Sequence, residues 1–201
     1  MCWNEDGIIA VTFIHKSKKA SMIYYDSDYK KVKEHLLRKA HPRILRMLPG
    51  SELAAVGYTY LGLIEFWNTH TSSCVYSIKA HSASVNELIF SRQGHTMYTS
   101  SENRAVKVWN IRKALEKHLP LPPASAASSD EFAPDSSEQL SIFKVLKEHE
   151  TYATEVEEML VLKGGKHLLT SYLDKPPVLW NLEKLEEKKL FQASDNTCNA
   201  L

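Results

Sequence analysis

The sequence predicts an all-β fold made of one small antiparallel unit, copied and stacked. Three observations carry that prediction. First, three segments end alike: Leu63-Ile64-Glu65-Phe66-Trp67-Asn68, Ala105-Val106-Lys107-Val108-Trp109-Asn110 and Pro177-Val178-Leu179-Trp180-Asn181, with a weaker copy at Ser21-Met22-Ile23-Tyr24-Tyr25-Asp26. The steps are 42 residues from Tyr25 to Trp67, 42 from Trp67 to Trp109 and 71 from Trp109 to Trp180. A fixed period of this length marks a repeat architecture. Second, Lys39-Ala40-His41, Lys79-Ala80-His81 and Lys147-Glu148-His149 stand 26, 28 and 31 residues before their tryptophans, counted from the histidine. Third, glycines keep step: Gly94 and Gly165 lie 15 residues before their tryptophans, Gly50 lies 17 before Trp67 and Gly7 lies 18 before Tyr25.

Between each histidine and its tryptophan lie two strand-like runs. In the clearest copy, residues 85–91 read as one strand and Arg92-Gln93-Gly94 as a hairpin turn. Residues 95–101 read as the second strand, and Glu102-Asn103-Arg104 turns into a third at 105–111. Glycine at such turns supplies the positive φ that tight hairpins need. A fourth strand leads to the next histidine, as at 74–80 and 142–147. The unit is therefore a four-stranded meander of about 40 residues.

A meander running from a histidine marker to a tryptophan marker resembles the WD-repeat β-propeller family. The likeness extends over nearly the whole chain and is strongest around Trp109 and Trp180. Ala40, Ala80 and Glu148 stand where the family has Gly before His, and Asn68, Asn110 and Asn181 stand where it has Asp after Trp. The resemblance implies a partial propeller of about three and a half blades, and a polar tetrad of His, Ser/Thr, Asp and Trp in each blade. His149, Thr170, Asp174 and Trp180 fill that tetrad, and His81, Thr99, Asn103 and Trp109 fill it with an amide in the carboxylate's place. At the matching spacing before Trp67 stand Gly57 and Leu61, so no tetrad is expected there. The chemistry is polar satisfaction: a buried indole N–H can only donate, and a hydroxyl can accept it and pass a hydrogen bond on.

The expected blades are residues 1–40 (incomplete), 41–80, 81–148 and 149–193, followed by a tail at 194–201. The 71-residue step exceeds one repeat by 29 residues, and the excess is visible at 119–139, where prolines 120, 122, 123 and 134 fall. Proline, serine and alanine without periodicity read as a mobile loop. Met1–Trp3 reads as the tail of a first strand and residues 188–193 as a last outer strand, after which Ser194 stands where a histidine would recur. Three and a half blades of this type should not close a ring. The expectation is a fragment or truncated product, or a chain completed by further blades or another subunit, because an open arc leaves two apolar sheet faces wet.

The bulk chemistry excludes several function classes. A net charge of +1 does not suit a dedicated nucleic-acid binder, and 43% hydrophobic content suits a packed core. Cys2, Cys74 and Cys198 are an odd, scattered set without metal-ligand spacing, which fits a reducing intracellular compartment, cytoplasmic or nuclear. No apolar run approaches the ~20 residues of a membrane-spanning helix. Gly164-Gly165-Lys166 lacks the spacing and the Ser/Thr of a phosphate loop and reads as a hairpin turn. No catalytic constellation, metal site or cofactor is expected. The one basic cluster runs through Lys30, Lys31, Lys33, Arg38 and Lys39 to Arg43 and Arg46. Residues 30–41 fit a short amphipathic helix, whereas the Lys-Ala-His register makes 34–40 a charged outer strand.

The function implied by the resemblance is protein–protein interaction, as a non-catalytic scaffold or adaptor. Its contact residues are expected in the turns beside the tetrads: Glu102, Arg104, Tyr172 and Lys175. The alternatives are an RNA- or ribonucleoprotein-associated propeller using the basic 30–46 segment, and a substrate-receptor subunit of a ubiquitin ligase.

Overall fold

A computed structural model gives the architecture. It describes residues 2–3, 9–16, 19–37, 39, 41–113, 144–150, 155–162, 165–172, 176–182, 184 and 186–189. The expected insertion at 119–139 and the tail at 194–201 lie outside these residues.

The described residues form four antiparallel sheets of four strands, each in simple chain order. The first holds β1 (Cys2–Trp3), β2 (Ile9–Ile14), β3 (Ala20–Tyr25) and β4 (Lys31–Leu36). The second holds β5 (Pro42–Met47), β6 (Leu53–Tyr58), β7 (Leu63–Asn68) and β8 (Cys74–Lys79). The third holds β9 (Val85–Phe90), β10 (Thr96–Ser101), β11 (Ala105–Asn110) and β12 (Lys144–Glu150). The fourth holds β13 (Val156–Val161), β14 (His167–Tyr172), β15 (Val178–Asn181) and β16 (Glu186–Lys189). The basic segment is thus a strand and not a helix, with Met22 opposite His35 and Tyr24 opposite Lys33. The strand begins three residues earlier than the expected 34–40.

The repeat shows in the irregularities as well as in the strands. Pairing between the third and fourth strands slips between Tyr24 and Tyr25, between Phe66 and Trp67, and between Val108 and Trp109. A bulge bends its strand and increases the local twist. Recurrence at the marker aromatic gives three successive sheets the same twist in the same place.

Consecutive sheets pack face to face through three apolar clusters. Ala10, Met22 and Tyr24 of the first sheet meet Leu45, Val56, Tyr58 and Trp67 of the second. Ala55, Ile64, Phe66 and Ile78 of the second meet Leu88, Met97 and Trp109 of the third. Tyr98, Val106 and Val108 of the third meet Val156, Met159, Leu168, Tyr172 and Trp180 of the fourth. Trp67, Trp109 and Trp180 therefore each face the preceding sheet. A strand covered on both faces reads as a continuous apolar run, and all six residues of β6 are buried. The first sheet's other face carries Ile9, Val11, Ile23 and Tyr25, all half-buried, and the exposed Phe13.

Two glycines with left-handed backbone show how closely the sheets approach. Gly50 has φ +65° and open space around the position of a Cβ. Gly62 has φ +58°, and a Cβ there would sit 2.1 Å from the His81 carbonyl oxygen. That turn accepts hydrogen bonds at Gly62 O from Ala80 N (2.9 Å) and His81 N (3.0 Å), so it cannot back away. Gly50→Ala should cost about 1 kcal/mol from the left-handed backbone alone. Gly62→Ala should cost about 3 kcal/mol, because overpacking adds to that strain. Thermal melting of the two variants checks the order, and equal shifts would refute close packing at Gly62.

Candidate functional site

The polar residues of the repeat lie in the sheet–sheet interfaces, beneath the turns that join second strands to third. In the third sheet, Trp109 Nε1 donates to Thr99 Oγ1 at 2.9 Å, and Thr99 Oγ1 lies 2.8 Å from His81 Nε2. His81 is buried, and its Nδ1 has no hydrogen-bond partner. Burial, and then the positive charge of Lys107, push the His81 imidazole down to about 3, with Asn103 opposing them. Asn103 gives its amide N–H to Ser82 Oγ (2.9 Å) and accepts from Ala105 N (3.2 Å).

In the fourth sheet Trp180 Nε1 donates to Thr170 Oγ1 at 2.8 Å. The Thr170 hydroxyl in turn lies 3.2 Å from Tyr172 Oη and 3.4 Å from the Val178 carbonyl. The side chain of His149, and Asp174 and Lys175 altogether, lie outside the described residues.

The second sheet departs from expectation. Gly57 and Leu61 are not the equivalents of Thr99 and Asn103, because the turn at 59–62 is one residue longer than the turn at 102–104. Thr99 pairs with Lys107 and Val56 pairs with Glu65, each partner two residues before its tryptophan. Val56 therefore occupies the threonine's place and offers no acceptor. The indole is nevertheless satisfied: Glu65 Oε2 accepts from Trp67 Nε1 at 3.1 Å and from Tyr58 Oη at 2.6 Å. Burial and the Glu65 charge raise the Tyr58 phenol well above its usual range, so Tyr58 remains a donor. A charge on an apolar strand, two residues before the tryptophan and so on the same face, is the sequence signal that locates Glu65.

The expected contact residues divide. Glu102 and Arg104 sit in the turn between β10 and β11, and Arg104 is exposed with left-handed backbone (φ 66°) at the place Gly62 occupies one sheet earlier. Glu102 is held by Ser84 Oγ at 2.5 Å and Arg43 Nη1 at 3.2 Å, which ties it to the neighbouring sheet. Tyr172 is 0% exposed and corrects the expectation. It lies two residues after Thr170, so its side chain points to the same face, into the interface with the third sheet.

The basic 30–46 segment is split between two sheets. Lys31 and Lys33 lie on β4 and engage Glu34 and the His70 carbonyl, whereas Arg43 and Arg46 lie on β5 and engage Glu102 and Glu87. Among the described residues no group of three or more His, Cys, Asp or Glu could hold a metal ion.

A family model described as "WD domain, G-beta repeat" matches residues 72–110, from the outer strand of the second sheet through Trp109. That segment resembles one WD repeat. The chain is 32% identical over 72 residues to Transducin beta-like protein 3 of Bos taurus, a stretch covering 36% of this chain and 8% of that protein. The fold is similar to that of a chain in a crystal structure of the mitotic checkpoint complex, with a TM-score of 0.66 and 14% identity, over 92% of this chain and 48% of the other. The chain thus spans about half of that solved chain and a small part of the curated relative. Together with the four meanders, these likenesses make the fold an all-β partial WD-repeat propeller and each sheet a blade.

Two outcomes follow from the blade interfaces. Glu65→Leu should cost about 3 kcal/mol by stranding two buried donors, and Glu65→Gln about 1 kcal/mol because an amide oxygen still accepts. Chemical denaturation resolves the two, and a Leu variant as stable as the Gln variant would contradict the Glu65 network. His81 binds its proton in the unfolded chain below about 6.5 but in the fold only near 3, so stability falls as pH drops through that window. From pH 7 to pH 5 the protein should lose about 2 kcal/mol more than a His81→Gln variant does. Parallel pH profiles for the two proteins would show that His81 is not buried neutral.

Proposed function

We propose that this chain is a non-catalytic protein–protein interaction scaffold of the WD-repeat type, acting through the turns beside its tetrads. The observation that supports this most is the division of polar groups in the third blade. Thr99, His81 and Trp109 are turned inward and engage one another, while the turn at 102–104 stays at the surface. Groups committed to each other between sheets are structural, and recognition is left to exposed turns on a rigid scaffold. Binding to protein partners in a reducing compartment, cytoplasm or nucleus, is the reading that also suits the cysteine pattern.

Arg104 with Lys175 is the pair to reverse. Arg104→Glu combined with Lys175→Glu should abolish capture of a protein partner from cell extract and leave the circular dichroism spectrum unchanged. Capture at undiminished level by the double variant would move the contact surface away from these turns.

A further inference from the structure

The longer turn of the second blade is held firmly by hydrogen bonds yet presents its tip to solvent. Its backbone is pinned at four points. Thr59 N donates to His41 O at 3.0 Å and Tyr60 N to Ser84 Oγ at 2.9 Å. Gly62 O accepts from Ala80 N and His81 N, and Lys79 Nζ donates to Leu61 O. Yet the side chains at the tip face water, with Tyr60 76% and Leu61 38% exposed. The exposed His41 ring stands beside Tyr60, centroids 6.4 Å apart and nearly perpendicular.

Tyr60 and His41 both have left-handed backbone, with φ of 65° and 63°. A large side chain in that region costs free energy that Gly or Asn largely avoids. Strained residues held at a surface are a pointer to function. Basic side chains flank the turn. Lys79 sits at its base, Arg43 is joined to it through Ser84 and Glu102, and Arg104 lies in the neighbouring turn. Glu102 is the acidic group of this rim, and Arg43 and Ser84 already hold its carboxylate.

We infer that the 59–62 turn, with His41, is a preformed anchor for an acidic peptide segment carrying an aromatic or large aliphatic residue. The apolar residue packs on Tyr60, Leu61 and the His41 ring. Its flanking carboxylates lie towards Lys79 and Arg104. Aromatic rings on a pinned backbone give contact area at little entropic cost, and a cationic rim selects acidic partners and speeds their encounter. This inference rests on the scaffold reading and names the partner's chemistry and the contacting turn.

The test uses the full 201-residue chain and a fluorescent ten-residue peptide of Asp and Glu around a central Trp-Leu pair, followed by anisotropy. The acidic peptide should bind, and a Lys-for-Glu/Asp counterpart should bind at least tenfold more weakly. Tyr60→Asn removes the ring but suits left-handed backbone, so its melting temperature should equal or exceed the wild type's while peptide affinity falls at least tenfold. Loss of stability in Tyr60→Asn would show that the ring serves folding, and would overturn the inference. So would failure of the acidic peptide to bind, equal binding of the basic peptide, or unchanged affinity in Tyr60→Asn. If a partner captured from extract is lost with the Arg104→Glu, Lys175→Glu variant but kept with Tyr60→Asn, the scaffold reading stands and the inference fails. If no protein is captured at all, the scaffold reading itself fails.

Discussion

The second, third and fourth blades each press a tryptophan against the sheet before, and the rest of the structure depends on giving that buried indole N–H an acceptor. Trp67, Trp109 and Trp180 are all nearly buried, and all three donate to a side-chain oxygen. A buried donor without a partner would cost as much as a substantial part of a domain's net stability. The acceptor fixes how two strands of one blade sit against each other. The indole ring then fixes how that blade sits against its neighbour. One contact thus links the order within a sheet to the order between sheets.

Charge reinforces the same junctions. Arg46 Nη2 on β5 meets Glu87 Oε1 on β9 at 2.9 Å, a bond between strands of adjacent blades. Burial raises the Glu87 carboxyl, and Arg46 and the Leu88 N–H pull it back. Asn86 reaches from β9 to Glu155 Oε2 (3.2 Å) and the Val156 carbonyl (3.3 Å), at the start of the next blade. The second, third and fourth blades are therefore joined along their first strands by polar bonds as well as across their faces by apolar packing. The His81 ring is a weak point, with Nδ1 buried and unsatisfied where an amide stands in the turn.

The repeat and its strands were legible in the sequence because they rest on local rules. A period-2 pattern, a turn glycine and a marker aromatic act over a few residues, and the strands fall within a few positions of where those signals put them. Thr99 with Trp109, and Thr170 with Trp180, could be paired by counting because their turns leave the same separation of ten residues. Counting failed at Trp67, where one extra turn residue shifts the separation and moves the threonine's place onto Val56. Glu65 supplies that acceptor from another strand, so counting back to the second strand misses it, and only a charge on an apolar strand signals it. Tyr172 was misplaced for a related reason: nearness to a turn in sequence says nothing about which face of the strand a side chain takes.

The Glu65 arrangement bears on how such chains are recognised and altered. What the indole requires is an oxygen at one point in space, and the chain can deliver it from the second strand or from the third. The family match falls on 72–110, where the histidine, threonine and tryptophan keep the family's spacing. The preceding blade satisfies the same demand with different letters at a different offset. Interfaces of this kind can trade one acceptor for another, blade by blade, without disturbing the stack. A blade redesigned by moving a carboxylate onto the third strand and lengthening its turn would keep its packing while presenting a new, larger tip to solvent.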